Sequence, residues 1–283
     1  MPIKKIAITG AQGMLGRQLV DHFEAKGCQV LALTRQTLDL LGTTDEMLKV
    51  LEPFEPQVIL HSAALTNVDT AQAQPELAMA INKDGTHKLA QTAQKLDCIL
   101  AYVSTDYVFS GQAEAPYKTH DKPNPVNTYG LSKLYGELMV QELLDTYYIM
   151  RTSWLFGKYR SSFVDLAASS LKNKQPFKVI HDQVGSPSWT GSVSAMIEQV
   201  LESGAFGIYH TVCNQPASRR ALVENVAQAL QLPMADCPIE WISRQALNPQ
   251  TPRPGYTALD PSPLAAPHWR TALEAYLLES HKA

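Results

Sequence analysis

Cysteine is scarce in this chain, and clustered charge is missing. The four cysteines, Cys28, Cys98, Cys213 and Cys237, stand far apart in 283 residues and form no CxxC pair, so neither a disulfide framework nor a zinc knuckle is indicated. Lys and Arg number 24 against 27 Asp and Glu, a formal charge of −3, and they form no run. That removes the basic footprint that nucleic acid requires. No apolar stretch approaches the roughly 20 residues of a membrane-spanning helix. The opening MPIKKIAITG passes at once into a short apolar run ending in glycine, too short and wrongly flanked for a signal peptide. The eight histidines and the acids contain no HxxxH or similar cluster, and no metal is expected. What is left is a globular protein expected in the cytoplasm, with no nucleic-acid or membrane partner.

What is present is core-forming material in a regular order. With 45% hydrophobic and 18% charged residues, the chain is long enough for one large domain, or one with a small companion. Short runs rich in Val, Ile and Leu, at Lys4 to Thr9, Cys28 to Thr34, Gln57 to Ser62, Asp97 to Ser104 and Tyr147 to Arg151, read as strands buried on both faces. Segments of helical spacing lie between them: Met14 to Lys26, Thr43 to Leu51, Pro75 to Lys95 and Tyr129 to Leu144. This alternation predicts a doubly wound α/β fold with a parallel sheet. The connection from Thr105 to Thr128 is long for a compact domain, a length often tied to function.

Beyond Arg151 the pattern is irregular. A helix is expected near Phe163 to Lys172, strands around Phe177 to Ile180 and Gly207 to Val212, and a helix near Arg219 to Leu230. Proline thickens from Pro249 to Pro267.

GAQGMLG, Gly10 to Gly16, follows the first strand and opens the first helix. Glycine there permits a tight turn, close approach of the backbone to a pyrophosphate, and packing of helix on strand, while free amides at the helix start hold phosphates. The stretch, Gln12 included, is therefore a candidate dinucleotide site, although a bare GxxGxxG also fits an ordinary strand-to-helix turn. Where a ribose-binding acid often stands, about 20 residues on, the chain has Thr34 and Arg35. An arginine there can face a 2′-phosphate, or simply be a solvated surface residue, so NADPH and NADH both stay open.

YGLSK, residues 129 to 133, puts Tyr129 and Lys133 four apart on one helix face. An ammonium beside a phenol favours the phenolate and is expected to draw its pKa from about 10 toward neutrality. When a nicotinamide delivers hydride to a carbonyl carbon, the oxygen needs a proton and a hydrogen bond. Tyr129 is the candidate donor, and the hydroxyl of Thr105, just past the fourth strand, the candidate second contact. A lone YxxxK also fits an exposed amphipathic pair, but here it follows both a glycine turn and a hydroxyl-bearing STD.

Together with HSAALTNVDTAQ (61–72), STDYVFSG (104–111), RTSWLFG (151–157) and DQVGSPSWTG (182–191), these motifs resemble the extended short-chain dehydrogenase/reductases over nearly the whole chain, weakening after about residue 215. The resemblance implies a Rossmann fold and the reduction of a 4-keto-6-deoxy sugar nucleotide. It makes Tyr129 the general acid, Lys133 its activator and nicotinamide-ribose ligand, and Thr105 the third catalytic group. It implies that Gly10, Gly13, Met14, Leu15 and Gly16 line the pyrophosphate and that Asp39 and Leu40 lie beside the adenine, though Asp39 also fits a helix or turn cap. Ala63, Ala64 and Thr66 match a loop along the cofactor. Val68, Ser104, Tyr107 and Trp154 match positions near the sugar, Trp154 with the alternative of a core aromatic. Asn82 is expected to be a structural hydrogen-bonding residue. Arg253, in RPGYTAL, resembles an RP motif whose arginine can meet the nucleotide diphosphate.

The resemblance is imperfect in two places. Tyr256 and Thr257 stand where the family often has Asn and Ser. Gln18 stands where some members carry a glutamate for a metal-bridged dimer, and a neutral amide is a poor ligand for a hard divalent ion.

On this reading residues 1–152 form an NAD(P)-binding domain, to which about 190–213 return, and 153–283 are mainly substrate-binding. A monomer or homodimer is expected. Two other readings stay open: an epimerase or 4,6-dehydratase on the same fold, and a non-catalytic cofactor-binding module like the regulatory subunit of methionine adenosyltransferase. The chain lacks the Asp-Glu pair that related dehydratases carry after the threonine, since it reads Thr105, Asp106, Tyr107.

Overall fold

The computed structural model describes residues 3–248 and 250–280. Met1, Pro2, Pro249 and the last three residues, which enter the readings of the N-terminus, the proline-rich stretch and the outer domain limits, lie outside the described residues.

Five strands, β1 (Lys5–Thr9), β2 (Gln29–Leu33), β3 (Val58–His61), β4 (Ile99–Thr105) and β5 (Tyr147–Thr152), pair in parallel with a later strand, Gly207–His210. Among the described residues these six make one sheet in the order β2-β1-β3-β4-β5 and then Gly207–His210. The expected doubly wound parallel sheet is therefore present. Strand order reverses between β1 and β3, so a crevice opens at their carboxyl ends, where ligands of such sheets bind.

Alternate residues of each strand feed two separate cores, which is why the runs are apolar without alternation. Ile6 and Ile8 of β1 pack with α1 (Met14–Ala25) and with Val193, Ile197 and Val200 of a helix over Thr190–Ser203. Ala7 points the other way, into a core with α2 (Thr44–Leu51) and with Leu89, Ala90 and Ala93.

The expected helix Pro75 to Lys95 is present, with a π-helical turn inside it. After α3 (Val68–Ala73) come α4 (Pro75–Met79), a π-helical turn over Ala80–Asp84, and α5 (Gly85–Lys95). The wide turn carries Asn82, whose side chain accepts from Leu65 N–H at 2.8 Å and donates to the Leu65 carbonyl at 3.1 Å and to the Ser132 hydroxyl at 2.9 Å. A π-turn at such a position aims one side chain at a neighbouring loop. Here it ties the end of β3 to α6 (Thr128–Leu143).

The later half builds a third core. Helices α7 (Phe163–Asn173), α8 (Thr190–Ser203) and α9 (Arg219–Ala229) are followed by a helix over Trp269–Ser280. Phe177–Ile180 pairs in parallel with Ile239–Ile242, and Val179, Leu171, Val223, Val226 and Tyr276 are buried together around this pair. The long Thr105–Thr128 connection is pinned to the proline-rich stretch: Tyr117 N–H donates to the Ala258 carbonyl at 2.8 Å and Tyr256 N–H to the Gly111 carbonyl at 3.0 Å.

Candidate active site

At the carboxyl ends of β1 to β5 lies a cleft of about 660 Å³. Its floor is the glycine turn, where Gly10, Gln12, Gly13, Met14, Leu15 and Gly16 all contribute. The three glycines do different things. Gly10 has φ +69°, a left-handed conformation that favours glycine. A Cβ on Gly16 would meet the Gly10 carbonyl oxygen at 2.0 Å, so this glycine packs the helix on the turn. A Cβ on Gly13 would meet only that same oxygen, at 3.1 Å, and would otherwise stand in the cleft. This open cradle at the start of a twelve-residue helix fits a pyrophosphate.

The cleft's far wall is Thr34, Arg35, Leu38, Asp39 and Leu40, past β2. Arg35 is exposed and lies 4.0 Å from the Asp39 carboxylate. Asp39 also accepts from Leu41 N–H at 3.0 Å, so it does cap a turn while lining the cleft. Past β3 come Ser62, Ala63, Ala64 and Thr66.

The reactive end is where β4 meets α6. Asn127 caps the helix, its side chain accepting from Gly130 N–H at 2.9 Å and donating to the Pro252 carbonyl at 2.9 Å. A Cβ on Gly130 would sit 2.0 Å from the Tyr107 carbonyl oxygen, so glycine lets the first turn press against the end of β4. Tyr129 thereby faces the cleft beside Thr105, and Lys133 follows one turn below.

The protonation pattern differs from the expectation. Burial pushes the Tyr129 phenol above its ordinary range, with the Thr105 hydroxyl opposing the shift. Lys133 does not pull the phenol down. Its Nζ donates to the Val103 carbonyl at 2.8 Å and lies 3.9 Å from the Tyr102 ring centroid, and burial lowers its own pKa to about 7 against the opposing charge of Glu137. Desolvation along this helix face outweighs the pairing that sequence spacing implies.

Thr105 is held by a carboxylate that sequence reasoning did not assign to the site. Its hydroxyl donates to Asp106 Oδ1 at 3.2 Å and accepts from Tyr107 N–H at 3.2 Å. Asp106 Oδ2 accepts from Ser153 at 2.9 Å and from Thr257 at 2.5 Å, and burial raises its pKa to about 6 in spite of these hydroxyls. Thr257, one of the two departures after the RP motif, thus keeps the hydroxyl that a serine would bring. Ser104 lines the cleft, but its hydroxyl donates to Glu137 at 2.5 Å. Glu137 in turn forms a buried ion pair with Arg151 at 2.7 Å.

Of the expected sugar-side residues, Trp154 lines the cleft, with φ +42°. Tyr107 meets Tyr129 edge to face, centroids 5.9 Å apart. Val68 begins α3, and Arg253 Nη2 meets both carboxylate oxygens of Asp69, each at 2.9 Å; neither residue lines the cleft itself. Arg160 and Ser161 also border the cleft, on a loop whose Tyr159 hydroxyl donates to Asp21 of α1. No sequence signal marked them, because only the fold brings this loop over the glycine turn.

The family model described as RmlD substrate binding domain matches residues 4–281. A dTDP-4-dehydrorhamnose reductase of Streptomyces griseus is 34% identical over 96% of this chain and 92% of its own. The structure of a dTDP-4-dehydrorhamnose reductase of Bacillus anthracis in complex with NADP superposes with a TM-score of 0.92 at 30% identity, covering 98% of this chain and 100% of that one. A UDP-glucose 4-epimerase of Thermus thermophilus in complex with NAD shares the fold at a TM-score of 0.82, with 18% identity over 99% of both chains.

Proposed function

The chain belongs to the RmlD substrate binding domain family, and from that premise we propose that it reduces the 4-keto group of a 4-keto-6-deoxy sugar nucleotide, taking dTDP-4-dehydro-L-rhamnose to dTDP-L-rhamnose. The observation that carries this reading is the meeting of Thr105, Tyr129 and Lys133 at one end of a cleft whose floor is an open glycine cradle.

In this proposal the cradle from Gly10 to Gly16 holds the pyrophosphate of NADPH or NADH, which supplies the hydride. Asp39, Leu40, Ala63, Ala64 and Thr66 flank it, and Arg35 faces the 2′-phosphate of NADPH. Tyr129, kept protonated by burial, gives its proton to the developing alkoxide. Thr105 turns its one O–H from Asp106 Oδ1 toward the same oxygen and donates a hydrogen bond to it, while Tyr107 N–H holds the hydroxyl oxygen in place. Lys133, fixed against the Val103 carbonyl, orients the ribose and restores the proton. Residues 153–283 mainly receive the sugar nucleotide, with Trp154, Tyr107, Val68, Ser104 and Arg253 on its side. A cytoplasmic monomer or homodimer belongs to the same proposal.

The test is NADPH oxidation on adding the keto sugar nucleotide, with the product identified by chromatography. One NADPH consumed per deoxysugar formed is expected. An epimerase would interconvert sugars without net oxidation, and a non-catalytic module would bind NADPH and leave it unchanged; either result overturns the proposal.

A further inference from the structure

A half-buried guanidinium packed against Trp154 of the cleft wall has no carboxylate within ion-pair distance. Arg219, the first residue of α9, lies against two rings: its Cζ is 3.7 Å from the Trp154 centroid and 4.7 Å from that of Phe163. Among the described residues no Asp or Glu comes within ion-pair distance of it. Burial lowers its pKa to about 10, which leaves it charged at neutrality, and the acids that act on it through space are Tyr107 and Asp106. Asp106 is already engaged by Thr257, Ser153 and Thr105. Tyr107 feels Arg219 and Arg253 alike, and its ring touches that of Tyr129. Arg219 therefore stands one aromatic ring away from the candidate proton donor.

The two arginines differ in what they have left to give. Arg253 gives its Nη2 to both oxygens of Asp69 and its Nη1 to the Thr251 carbonyl. Arg219 is held by its faces alone, on Trp154 and Phe163, so the edges that carry its N–H groups are uncommitted. Removing a cation from water without a partner is costly, and it is sustained where a ligand supplies the partner. A guanidinium edge matches two phosphate oxygens at once. The proposed keto sugar and a thymine base are both neutral at pH 7, so the anionic part of the substrate is its diphosphate.

We infer that Arg219 binds the diphosphate of the sugar nucleotide, while Arg253 acts through Asp69 to hold the proline-rich stretch against α3. The inference rests on the sugar-nucleotide reading above. It adds a specificity-determining residue that no motif in the chain marks.

The experiment is calorimetric titration of dTDP, and separately of thymidine, into wild-type protein, Arg219→Gln, Arg219→Lys and Arg253→Gln, all with NADPH present. NADPH titration of each variant reports that the cofactor cleft is folded. Arg219→Gln is expected to weaken dTDP binding by about 10- to 100-fold, the range of a charge-assisted pair, and to leave thymidine unchanged. Arg219→Lys is expected to recover part of the loss, since an ammonium keeps the charge without the fork. In turnover, KM for the sugar nucleotide should rise far more than kcat falls. Wild-type affinity for dTDP in a folded Arg219→Gln protein overturns the inference, as does a loss confined to Arg253→Gln. If wild-type protein binds neither dTDP nor UDP, the sugar-nucleotide reading falls and this inference with it. If it binds them and Arg219→Gln binds them equally, only the Arg219 assignment falls.

Discussion

Lys133 donates to the carbonyl oxygen of Val103 at 2.8 Å, with its ammonium over the Tyr102 ring and almost no contact with solvent. Burial holds its pKa near 7, well below the 10.5 of a free lysine. Between those two values the unfolded chain binds a proton that the folded one does not, so this residue makes stability rise with pH across that window. Its unfavourable contribution is present in full below about pH 7 and disappears above the free value. Lys133→Met should therefore gain stability relative to wild type at pH 7, and the gain should shrink toward pH 10. Urea unfolding of both proteins at the two pH values checks this; parallel pH profiles would contradict it. The same change should weaken cofactor binding and turnover together.

Tyr129→Phe removes one oxygen and keeps the ring against Tyr107. Loss of a placed proton donor costs roughly 100- to 10,000-fold, so turnover should fall by about that factor with cofactor affinity near wild type. Turnover within a few-fold of wild type would show that the phenol is not the donor.

Gly13→Val and Gly16→Ala should fail differently. At Gly16 even a methyl group meets the Gly10 carbonyl at 2.0 Å, and overpacking of this kind costs about 1–3 kcal/mol, readable as a fall in thermal midpoint. At Gly13 the side chain enters the cleft, so a folded protein with strongly weakened NADPH binding is expected. Unchanged NADPH affinity in folded Gly13→Val would remove the glycine turn from the cofactor site.

Arg35 is exposed at the rim, with Asp39 at 4.0 Å. Arg35→Ala should weaken NADPH more than NADH, since a guanidinium clamps the 2′-phosphate that only NADPH carries. Equal losses for the two cofactors would return Arg35 to the solvated surface.

Glu137 and Arg151 form an ion pair at 2.7 Å with 1% and 2% of their side chains exposed. Arg151→Met leaves a buried carboxylate without its partner and should cost about 3–5 kcal/mol in urea unfolding. Adding Glu137→Leu should return much of that loss, because the unpaired charge goes too. No recovery in the double variant would mean that the cost is one of packing.

Local chemistry made much of the site legible. The apolar runs of β1, β3, β4 and β5 are buried on both faces, so they showed as strands without alternation, and the glycines before α1 marked a turn whose φ and close contacts the structure displays. Tyr129 and Lys133 were legible because four residues make one helical turn. The π-turn within Pro75 to Lys95 was not, since it answers a hydrogen-bonding need of Leu65, seventeen positions before Asn82. The pairing of Phe177–Ile180 with Ile239–Ile242 joins segments too far apart for any periodicity to report.

The sequence by itself determined the order of strands and helices, the place of the glycine cradle and the identity of the tyrosine, lysine and threonine, because each depends on neighbours within a few residues. Only the tertiary structure decided their electrostatics. The Tyr129 phenol is raised and Lys133 lowered to about 7 because remote segments close over them and remove water, and Asp106 is pushed up to about 6 for the same reason. The stacking of Arg219 on Trp154 likewise joins residues 65 positions apart, a contact that exists only once the segment after β5 meets the start of α9. Desolvation depends on everything that surrounds a group, and that is settled by the whole fold.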